Sequence, residues 1–335
     1  MMVNSKLMFN YLWGLMFFSG LLSGVLISIS SDSWVGVWLG LEMNLLCFIP
    51  IISGSRGGAS EAMMIYFLIQ ACGSLMLLMT GLNLMNYELM FKVFISVALL
   101  LKVGAAPFHF WYIEVASKLR WVQFIIISSV QKIIPLTLLS LNSMGKNSWV
   151  VYLSVVWSGL TGAIGGINAF AVRKLLVYSS IGHLGWVLAP LVGGSVMWVT
   201  YFSVYCLNLL LVVLILTKYS VFHINQLKGA KILWSGGLAL LISLLSLGGF
   251  PPSLGFAAKW GVIVSSVEFM DLFSLSILIL SSVISVYFYT RLGLTVLVMN
   301  SEAKFNSGSL SDMGIFSGVV SMSLVGFWVS FMIMF

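Results

Sequence analysis

The chain has 335 residues, of which 60% are hydrophobic and only 7% are charged, and its mean hydropathy is +1.10. Soluble domains carry roughly 25% charged residues, so this chain is too poor in charge to cover a water-exposed surface, and a soluble globular protein is excluded. A net charge of +7 could suggest a nucleic-acid partner, but the basic residues fall mostly in short loops, which is typical of membrane orientation.

Apolar runs of about 18 residues or more, separated by charged or turn-rich breaks, predict an all-α polytopic membrane protein with eleven transmembrane helices. No polar stretch between the runs is long enough to fold separately, so residues 1–335 are predicted to form a single membrane domain. In chain order the predicted helices cover residues 9–29, 34–52, 61–83, 90–112, 121–141, 148–170, 175–191, 196–217, 232–265, 272–297 and 313–335.

Prolines interrupt the fourth and the ninth predicted helices, at Pro107 and at Pro251-Pro252. Because proline has no N–H to donate, we expect a kinked or broken helix at each place. The two helices are five apart, which suggests a repeat of five helices. A unit with an odd number of membrane-crossing helices ends on the side opposite to its start, so its second copy must lie inverted in the membrane. The sequence therefore predicts two inverted five-helix repeats, a pattern that marks ion or substrate paths in transporters. The repeats would cover about 9–141 and 148–297, with an extra helix at about 313–335.

Four ionisable side chains fall well inside the predicted helices: Glu42, Lys102, Lys132 and Lys259. Burial disfavours the charged form of each group and a nearby opposite charge favours it, so a side chain held between these effects can bind and release a proton. The functional interpretation is a proton relay, in which free carbonyls at the two helix breaks hold water. The structural interpretation is a static Glu42–Lys102 ion pair. The expected free carbonyls are those of Val103, Leu247 and Gly248.

Histidines and cysteines give a less specific signal than these charges. His183 lies mid-helix among small polar residues, where it can either pass protons or simply satisfy hydrogen bonds, and both interpretations stay open. His109, after Pro107, is open in the same way. Three widely spaced cysteines form no CxxC or Cys/His cluster, so the sequence predicts no disulfide, zinc site or iron–sulfur cluster in this chain.

Loop lysines and arginines predict the orientation of the chain. With eleven spans, the side that contains the N-terminus collects most of them and is expected to be the cytoplasm-like, or matrix, side. The C-terminus would then lie on the opposite side. No amphipathic Arg/Ser-rich leader or small-residue cleavage site is visible, so no transit or signal peptide is expected. The opposite side has only Lys92 and Lys146, whereas the first side has Lys6, Arg56, Lys118, Arg120, Arg173, Lys174, Lys218, Lys228, Lys231, Arg291 and Lys304.

Five motifs, in order and spread from Trp38 to Trp260, resemble the antiporter-like chain 2 family of mitochondrial NADH:ubiquinone oxidoreductase, the respiratory complex I. The most specific is the run Lys-x-Gly-x-Ala-Pro-Phe-His-Phe-Trp. Eleven helices resemble the short animal form of this family, which lacks three helices of its bacterial relatives. The motifs are Trp38-Leu-Gly-Leu-Glu42-Met-Asn44-Leu, Lys102-Val-Gly-Ala-Ala-Pro107-Phe-His109-Phe-Trp111, Gln131-Lys132-Ile-Ile-Pro135, Arg173-Lys174-Leu-Leu-Val-Tyr-Ser-Ser-Ile-Gly-His183-Leu-Gly-Trp186 and Gly248-Gly-Phe-Pro-Pro252-x6-Lys259-Trp260.

The resemblance implies roles for five residues in a proton relay. Glu42 would pair with Lys102, Lys132 would be the central connecting lysine, and His183 would lie on the central hydrophilic axis. Lys259 would be the lysine of the second broken helix. One departure is visible, because the family often has a proline immediately before this last lysine, where this chain has alanine.

The resemblance also implies an assembly and a location. The chain would be a core subunit in the membrane arm of the complex, in the mitochondrial inner membrane. It would contribute to proton translocation coupled to electron transfer from NADH to ubiquinone. Flavin and iron–sulfur clusters would belong to other subunits, with no cofactor in this chain. Expected partners are the other membrane-arm subunits, including neighbouring antiporter-like chains, and lipids, but no nucleic acid.

Two other functions remain compatible with the sequence. The chain could belong to a stand-alone cation/proton antiporter, whose activity would depend on sodium rather than on NADH. It could also be a scaffold with inert charges, whose loss would reduce assembly without changing coupling in the complexes that remain.

Overall fold

The computed structural model describes the backbone of residues 2–53, 58–82, 88–142, 149–219, 221, 223, 226, 234–251, 253–299, 317, 318 and 321. Side chains are described for the same residues except 2–12, 59, 88, 89, 234 and 297–299. The regular elements of these ranges are helices, which confirms the all-α prediction, and one isolated β-bridge joins Ala171 to His223. The chain divides into two compact units, Met1–Val150 and Val151–Phe335.

The first unit is built on the packing of α2 between α1 and α3. Small residues allow α1 and α2 to approach closely, since a Cβ added at Gly24 would lie 2.9 Å from the carbonyl oxygen of Gly40. The helices of this unit are α1 (Met2–Ser30), α2 (Trp34–Ser53), α3 (Ala59–Gly81), α4 (Glu88–Val103), α5 (Phe110–Lys118), α6 (Trp121–Ser128) and α7 (Val130–Asn142).

The fourth predicted helix is interrupted at the expected place. α4 ends at Val103 and α5 begins at Phe110, so the six residues between them, which include Pro107, are not helical. Gly104 turns the chain with a φ of 75°, a backbone conformation that a residue with a Cβ rarely adopts. The sequence therefore predicted both the existence and the position of this break.

A further interruption, which the sequence analysis did not predict, divides the fifth predicted helix at Ser129, between α6 and α7. The hydroxyl of Ser128 donates to the carbonyl of Phe124 at 2.7 Å, and that of Ser129 donates to the carbonyl of Ile125 at 2.6 Å. Serine hydroxyls that bond to carbonyls one turn back bend helices. The break places Lys132 in the first turn of α7, where its N–H donates to the carbonyl of Ser129.

The second unit is organised around α9, the most deeply buried of the apolar spans, which packs against α10, α12 and α13. α8 and α9 pass very close to each other, because a Cβ added at Gly162 would lie only 2.4 Å from the backbone nitrogen of Gly182. The helices are α8 (Trp149–Ile167), α9 (Val172–Val192), α10 (Met197–Lys218), α11 (Trp234–Gly248), α12 (Leu254–Ser266) and α13 (Leu272–Met299).

The ninth predicted helix is also broken, between the end of α11 at Gly248 and the start of α12 at Leu254. Gly249 has a φ of 77°. Gly255 lies against the break so closely that an added Cβ would be 1.7 Å from the carbonyl oxygen of Ser246. The break is thus confirmed, although Pro252 itself lies outside the described residues.

Eight of the described helical segments are long and apolar enough to cross a membrane, so the chain is a multi-pass membrane protein. The ten predicted helices up to residue 297 are all found, three of them as the broken pairs α4–α5, α6–α7 and α11–α12. The eleventh, at about 313–335, lies outside the described residues apart from 317, 318 and 321.

Arg291 differs from its sequence assignment, because it is not a loop residue but lies inside α13. Its guanidinium donates to the carbonyls of Ile167 at 3.1 Å and Ala169 at 3.4 Å, at the C-terminal end of α8. The last carbonyls of a helix lack partners and carry partial negative charge, so an arginine stabilises them. Hydropathy alone could not separate this role from a loop position near a span end.

Candidate functional site

Glu42 lies half-buried on α2, and its carboxylate accepts a hydrogen bond from the hydroxyl of Ser74 on α3, at 2.5 Å. Lys102 is buried in the last turn of α4, and Glu42 acts on it electrostatically. The two side chains do not form a contact pair, because the ion pairs within 4.0 Å among the described residues are those of Lys118. Glu42 and Lys102 therefore lie within electrostatic reach of each other, without the direct salt bridge of the static interpretation.

One face of α3 lines this first site. The side-chain amide of Gln70 donates to the backbone carbonyl of Lys102 at 3.2 Å. At Gly73 an added Cβ would lie 2.9 Å from Cγ of Lys102, so the glycine leaves room for the lysine side chain. Ser74 completes the same face, since residues three and four apart lie together on a helix. The sequence contains a signal for this face, because Gln70 and Ser74 are two polar residues four positions apart in a largely apolar helix.

Carbonyls at the first break are occupied by side-chain donors. Trp111 donates from its indole nitrogen to the carbonyl of Leu101 at 3.0 Å, next to the one that Gln70 satisfies. His109 lies at the same break, with Nδ1 at 3.2 Å from the carbonyl of Pro107, and a contact with a carbonyl requires the histidine to donate. This contact favours the structural interpretation of His109.

Lys132 is 2% exposed, and its Nζ lies 4.7 Å from the ring centroid of Tyr112, which is completely buried. The residue before it, Gln131, accepts from the hydroxyl of Tyr66 at 3.1 Å and donates to Oδ1 of Asn44 at 3.0 Å. These bonds link the start of α7 to α3 and to α2. On α2 the bonded residue, Asn44, lies two residues after Glu42. The helix that carries Lys132 is therefore hydrogen-bonded to α2, which carries Glu42, and to α3, which carries Ser74.

In the second unit, Lys259 of α12 reaches the break itself. Its ammonium donates to the carbonyl of Gly248 at 2.5 Å, and Nζ lies 5.6 Å from the ring of Trp186 on α9. A Cβ at Gly249 would lie 2.8 Å from Cδ of Lys259, so the glycine is needed for this close approach. The carbonyl that was expected to be free for water is thus held by the lysine.

His183 on α9 lies between two small cavities. The lining of one, of ≈ 20 Å³, includes His183, Lys259 and four serines, which are Ser179, Ser281, Ser282 and Ser285. A cavity that size holds one water when polar partners are present, as they are here. On its other side, Nδ1 of the histidine lies 2.8 Å from the hydroxyl of Tyr201. A second cavity, of ≈ 10 Å³, is lined by His183, Tyr201, Val204, Tyr205, Asn208, Ser246, Leu247, Gly255 and Ala258.

The comparisons with known proteins agree on one family. A family model described as "NADH:quinone oxidoreductase/Mrp antiporter, TM" matches residues 31–285. NADH-ubiquinone oxidoreductase chain 2 of Anopheles gambiae is 40% identical over 293 residues, which are 84% of this chain and 85% of that protein. The protein of the same name from Aedes aegypti is 36% identical over 325 residues, 92% of this chain and 94% of its own length. The chain belongs to the NADH-ubiquinone oxidoreductase chain 2 family.

Solved structures share the fold of this chain 2 family member. A chain of respiratory complex I from Thermus thermophilus aligns with a TM-score of 0.78 and 20% identity, covering 94% of this chain and 78% of that one. A chain of the Mrp complex from Dietzia sp. DQ12-45-1b aligns with a TM-score of 0.73 and 14% identity, covering 93% and 73%. At these identities the likeness concerns the fold alone.

In this chain 2 family member, the five predicted site residues fall into two groups. Glu42, Lys102 and Lys132 lie in the first unit, and His183 and Lys259 line one cavity in the second. Among the described residues, no group of three or more His, Cys, Asp or Glu side chains could hold a metal ion. The sequence indicated no role for the hydrogen-bonding and aromatic neighbours of the charges, although Asn44, Gln131 and Trp186 stand in its motifs. These neighbours are Ser74, Gln70, Gln131, Asn44, Tyr112, Trp186 and Tyr201.

Proposed function

We propose that the chain is a proton-translocating core subunit in the membrane arm of NADH:ubiquinone oxidoreductase. Membership of the chain 2 family supports the assembly, and the buried ionisable side chains support the activity. The observation that carries the proposal is the shared cavity of Lys259 and His183, which brings two proton-binding groups to one water-sized space beside a broken helix. The redox chemistry, with its flavin and iron–sulfur clusters, belongs in this proposal to other subunits, and this chain binds no cofactor.

The first unit would respond to the electrostatic change that electron transfer produces. The carboxylate of Glu42 is held by the hydroxyl of Ser74 rather than by Lys102 at contact distance, so a small movement of α2 or α4 changes the field at the lysine. In a low-dielectric interior such a change shifts a proton equilibrium strongly. Lys102 and Lys132 would then exchange protons as the field changes.

The second unit would carry the proton through Lys259. A protonated ammonium donates to the carbonyl of Gly248, and it can pass one proton to a water in the cavity that it shares with His183. The neutral amine keeps an N–H with which it can still bond to Gly248. His183, hydrogen-bonded to Tyr201, can supply the next proton from the other side of the cavity.

Location, orientation and repeats follow the same proposal. The chain would lie in the mitochondrial inner membrane, with its N-terminus in the matrix and its C-terminus towards the intermembrane space, as the distribution of loop cations favours. Its partners would be the other membrane-arm subunits and lipids, with no nucleic acid. The two compact units, each with one predicted break, would be the repeats at about 9–141 and 148–297.

A cation/proton antiporter subunit is the second candidate, because the Mrp complex from Dietzia shares the fold. A native gel of gently solubilised membranes separates the two functions. We expect the chain, identified by mass spectrometry, to migrate with a very large band that oxidises NADH. Migration outside that band, together with sodium-dependent proton exchange, would contradict the proposal. A scaffold would instead show normal coupling in the residual complexes after the site residues are replaced.

A further inference from the structure

We propose that Tyr112 is the positioning residue of Lys132, and that its aromatic face is the place where the protonated lysine rests. This inference deepens the proposed function and rests on it, because it concerns how one residue of the relay is held. Sequence analysis gave Tyr112 no role, and it is not among the charged or histidine residues of the relay.

The first observation is the geometry of the two side chains. Nζ of Lys132 lies 4.7 Å from the centroid of the Tyr112 ring, within the distance of about 6 Å at which a ring face attracts a cation. The ring is completely buried and the lysine is nearly so. The attraction is strongest when water is excluded, as it is here. The ring face therefore favours the protonated form of Lys132 without placing an opposite charge beside it.

The second observation is that the first helix break fixes the ring. Tyr112 lies in the first turn of α5, where its N–H donates to the carbonyl of His109 at 3.1 Å. A Cβ added at Gly104 would lie 2.9 Å from Cβ of Tyr112, so the turn at this glycine makes the space for the tyrosine. A change in the break would therefore move the ring.

The third observation connects the same break to Lys102. Trp111 packs edge-on against Tyr112, with ring centroids 5.8 Å apart, and its indole donates to the carbonyl of Leu101, next to Lys102. Of two consecutive aromatic residues, Trp111 is thus bonded to the carbonyl of the residue before Lys102, and Tyr112 presents its ring to Lys132. A shift of the break caused at Lys102 would move the ring that holds Lys132.

The second unit has a related arrangement, in which Nζ of Lys259 lies 5.6 Å from the ring of Trp186. An aromatic face beside a buried lysine therefore occurs in both units. In the first unit, a movement at Lys102 can change the proton affinity of Lys132 in two ways. It changes the electrostatic field, and it moves the Tyr112 ring through the helix break.

The test compares Tyr112 variants in the assembled complex, reconstituted into liposomes, with NADH oxidation and proton translocation measured together. Tyr112→Phe keeps the ring face, and we expect it to translocate protons like the unsubstituted protein. Tyr112→Leu and Tyr112→Met remove the face, and methionine fills irregular space well. For both we expect coupled translocation to fall about tenfold, which corresponds to about 1.4 kcal/mol.

Phe48→Leu is the matched control, because Phe48 is a completely buried ring of the same unit that contacts Tyr66, and no lysine of the described residues lies on its face. All rates are normalised to the amount of assembled complex. Translocation by the Leu or Met variant at the level of the Phe48→Leu control would overturn the inference. The inference would also be overturned if the assembled Tyr112→Phe variant lost as much translocation as is expected for Tyr112→Leu. This result can be obtained even if the Leu and Met variants do not assemble.

Lys132→Met separates this inference from the proposed function. If Lys132→Met translocates normally, the role of Lys132 in the relay is wrong. If Lys132→Met loses translocation but the assembled Tyr112→Leu does not, only the inference about Tyr112 is wrong. In the double variant we expect no loss beyond that of Lys132→Met, because two residues that act through one contact are not additive. Additive losses would contradict the link.

Discussion

Replacement of Lys259 by methionine is expected to lower NADH-driven proton translocation by about tenfold or more, the effect of losing about 1.4 kcal/mol or more from a coupled step. Methionine is unbranched and adaptable, so it can follow the path of the lysine stem past Gly249. It cannot carry a proton, and it leaves the carbonyl of Gly248 without its donor. The measurement is the rate of proton uptake or release by proteoliposomes during NADH oxidation, per assembled complex.

Lys118→Met is the control for the loss of one positive charge. Lys118 lies on the surface, paired with Glu61 at 2.7 Å and Glu114 at 3.4 Å, and the hydrogen bond with Glu61 raises its pKa. Surface ion pairs contribute little to stability, so this variant is expected to translocate protons normally. Equal translocation by the Lys259 and Lys118 variants would show that Lys259 is not part of the relay.

Gly255→Ala is expected to prevent accumulation of the assembled complex. Its new Cβ would lie 1.7 Å from the carbonyl oxygen of Ser246, and a backbone atom cannot move aside as the end of a side chain can. Overpacking of this kind costs about 3 kcal/mol or more, a large share of the stability of a folded unit. The helix break that supports Lys259 would have to open to accept the methyl group. Native gels and immunoblots of the chain measure the result.

Gly261→Ala provides the matched control on the same helix, because, apart from the neighbouring backbone of its own helix, no atom of the described residues lies within 4 Å of the Cβ it would gain. Alanine favours a helix more than glycine does, so this variant is expected to assemble at least as well as the unsubstituted protein. Normal assembly of Gly255→Ala would mean that α11 and α12 are not packed as closely as the structure shows.

Much of the fold could be predicted because lipid imposes simple rules on sequence. Long apolar runs became helices from α1 to α13, and the prolines located the two interruptions, since the missing N–H is a local property that a sequence displays directly. The break at Ser129 escaped prediction because the nearest proline, Pro135, lies six residues further along the chain, inside α7. It depends on serine hydroxyls turning towards carbonyls, which a sequence allows but does not require.

The candidate site was predictable only for its ionisable members, the charged side chains and His183. A lysine inside an apolar run is conspicuous, whereas Tyr112 and Trp186 look like ordinary packing residues until their rings are seen beside Lys132 and Lys259. Arg291 was assigned to a loop because it is a cation near the end of a predicted span. In the structure it lies inside α13 and caps the C-terminal end of α8. Contacts between distant segments decide these roles, and one sequence does not encode such contacts in a local pattern.

Lys132→Met in the reconstituted complex shows whether the buried lysines of this chain conduct protons. The quantity to measure is the number of protons translocated per NADH oxidised. Lys132 is deeply buried, and a neutral residue of similar length should preserve the packing of α7. We expect the ratio, or the coupled rate itself, to fall well below that of the unsubstituted protein while the complex still assembles. An unchanged ratio at an unchanged rate would contradict the claim that this chain conducts protons through its buried lysines.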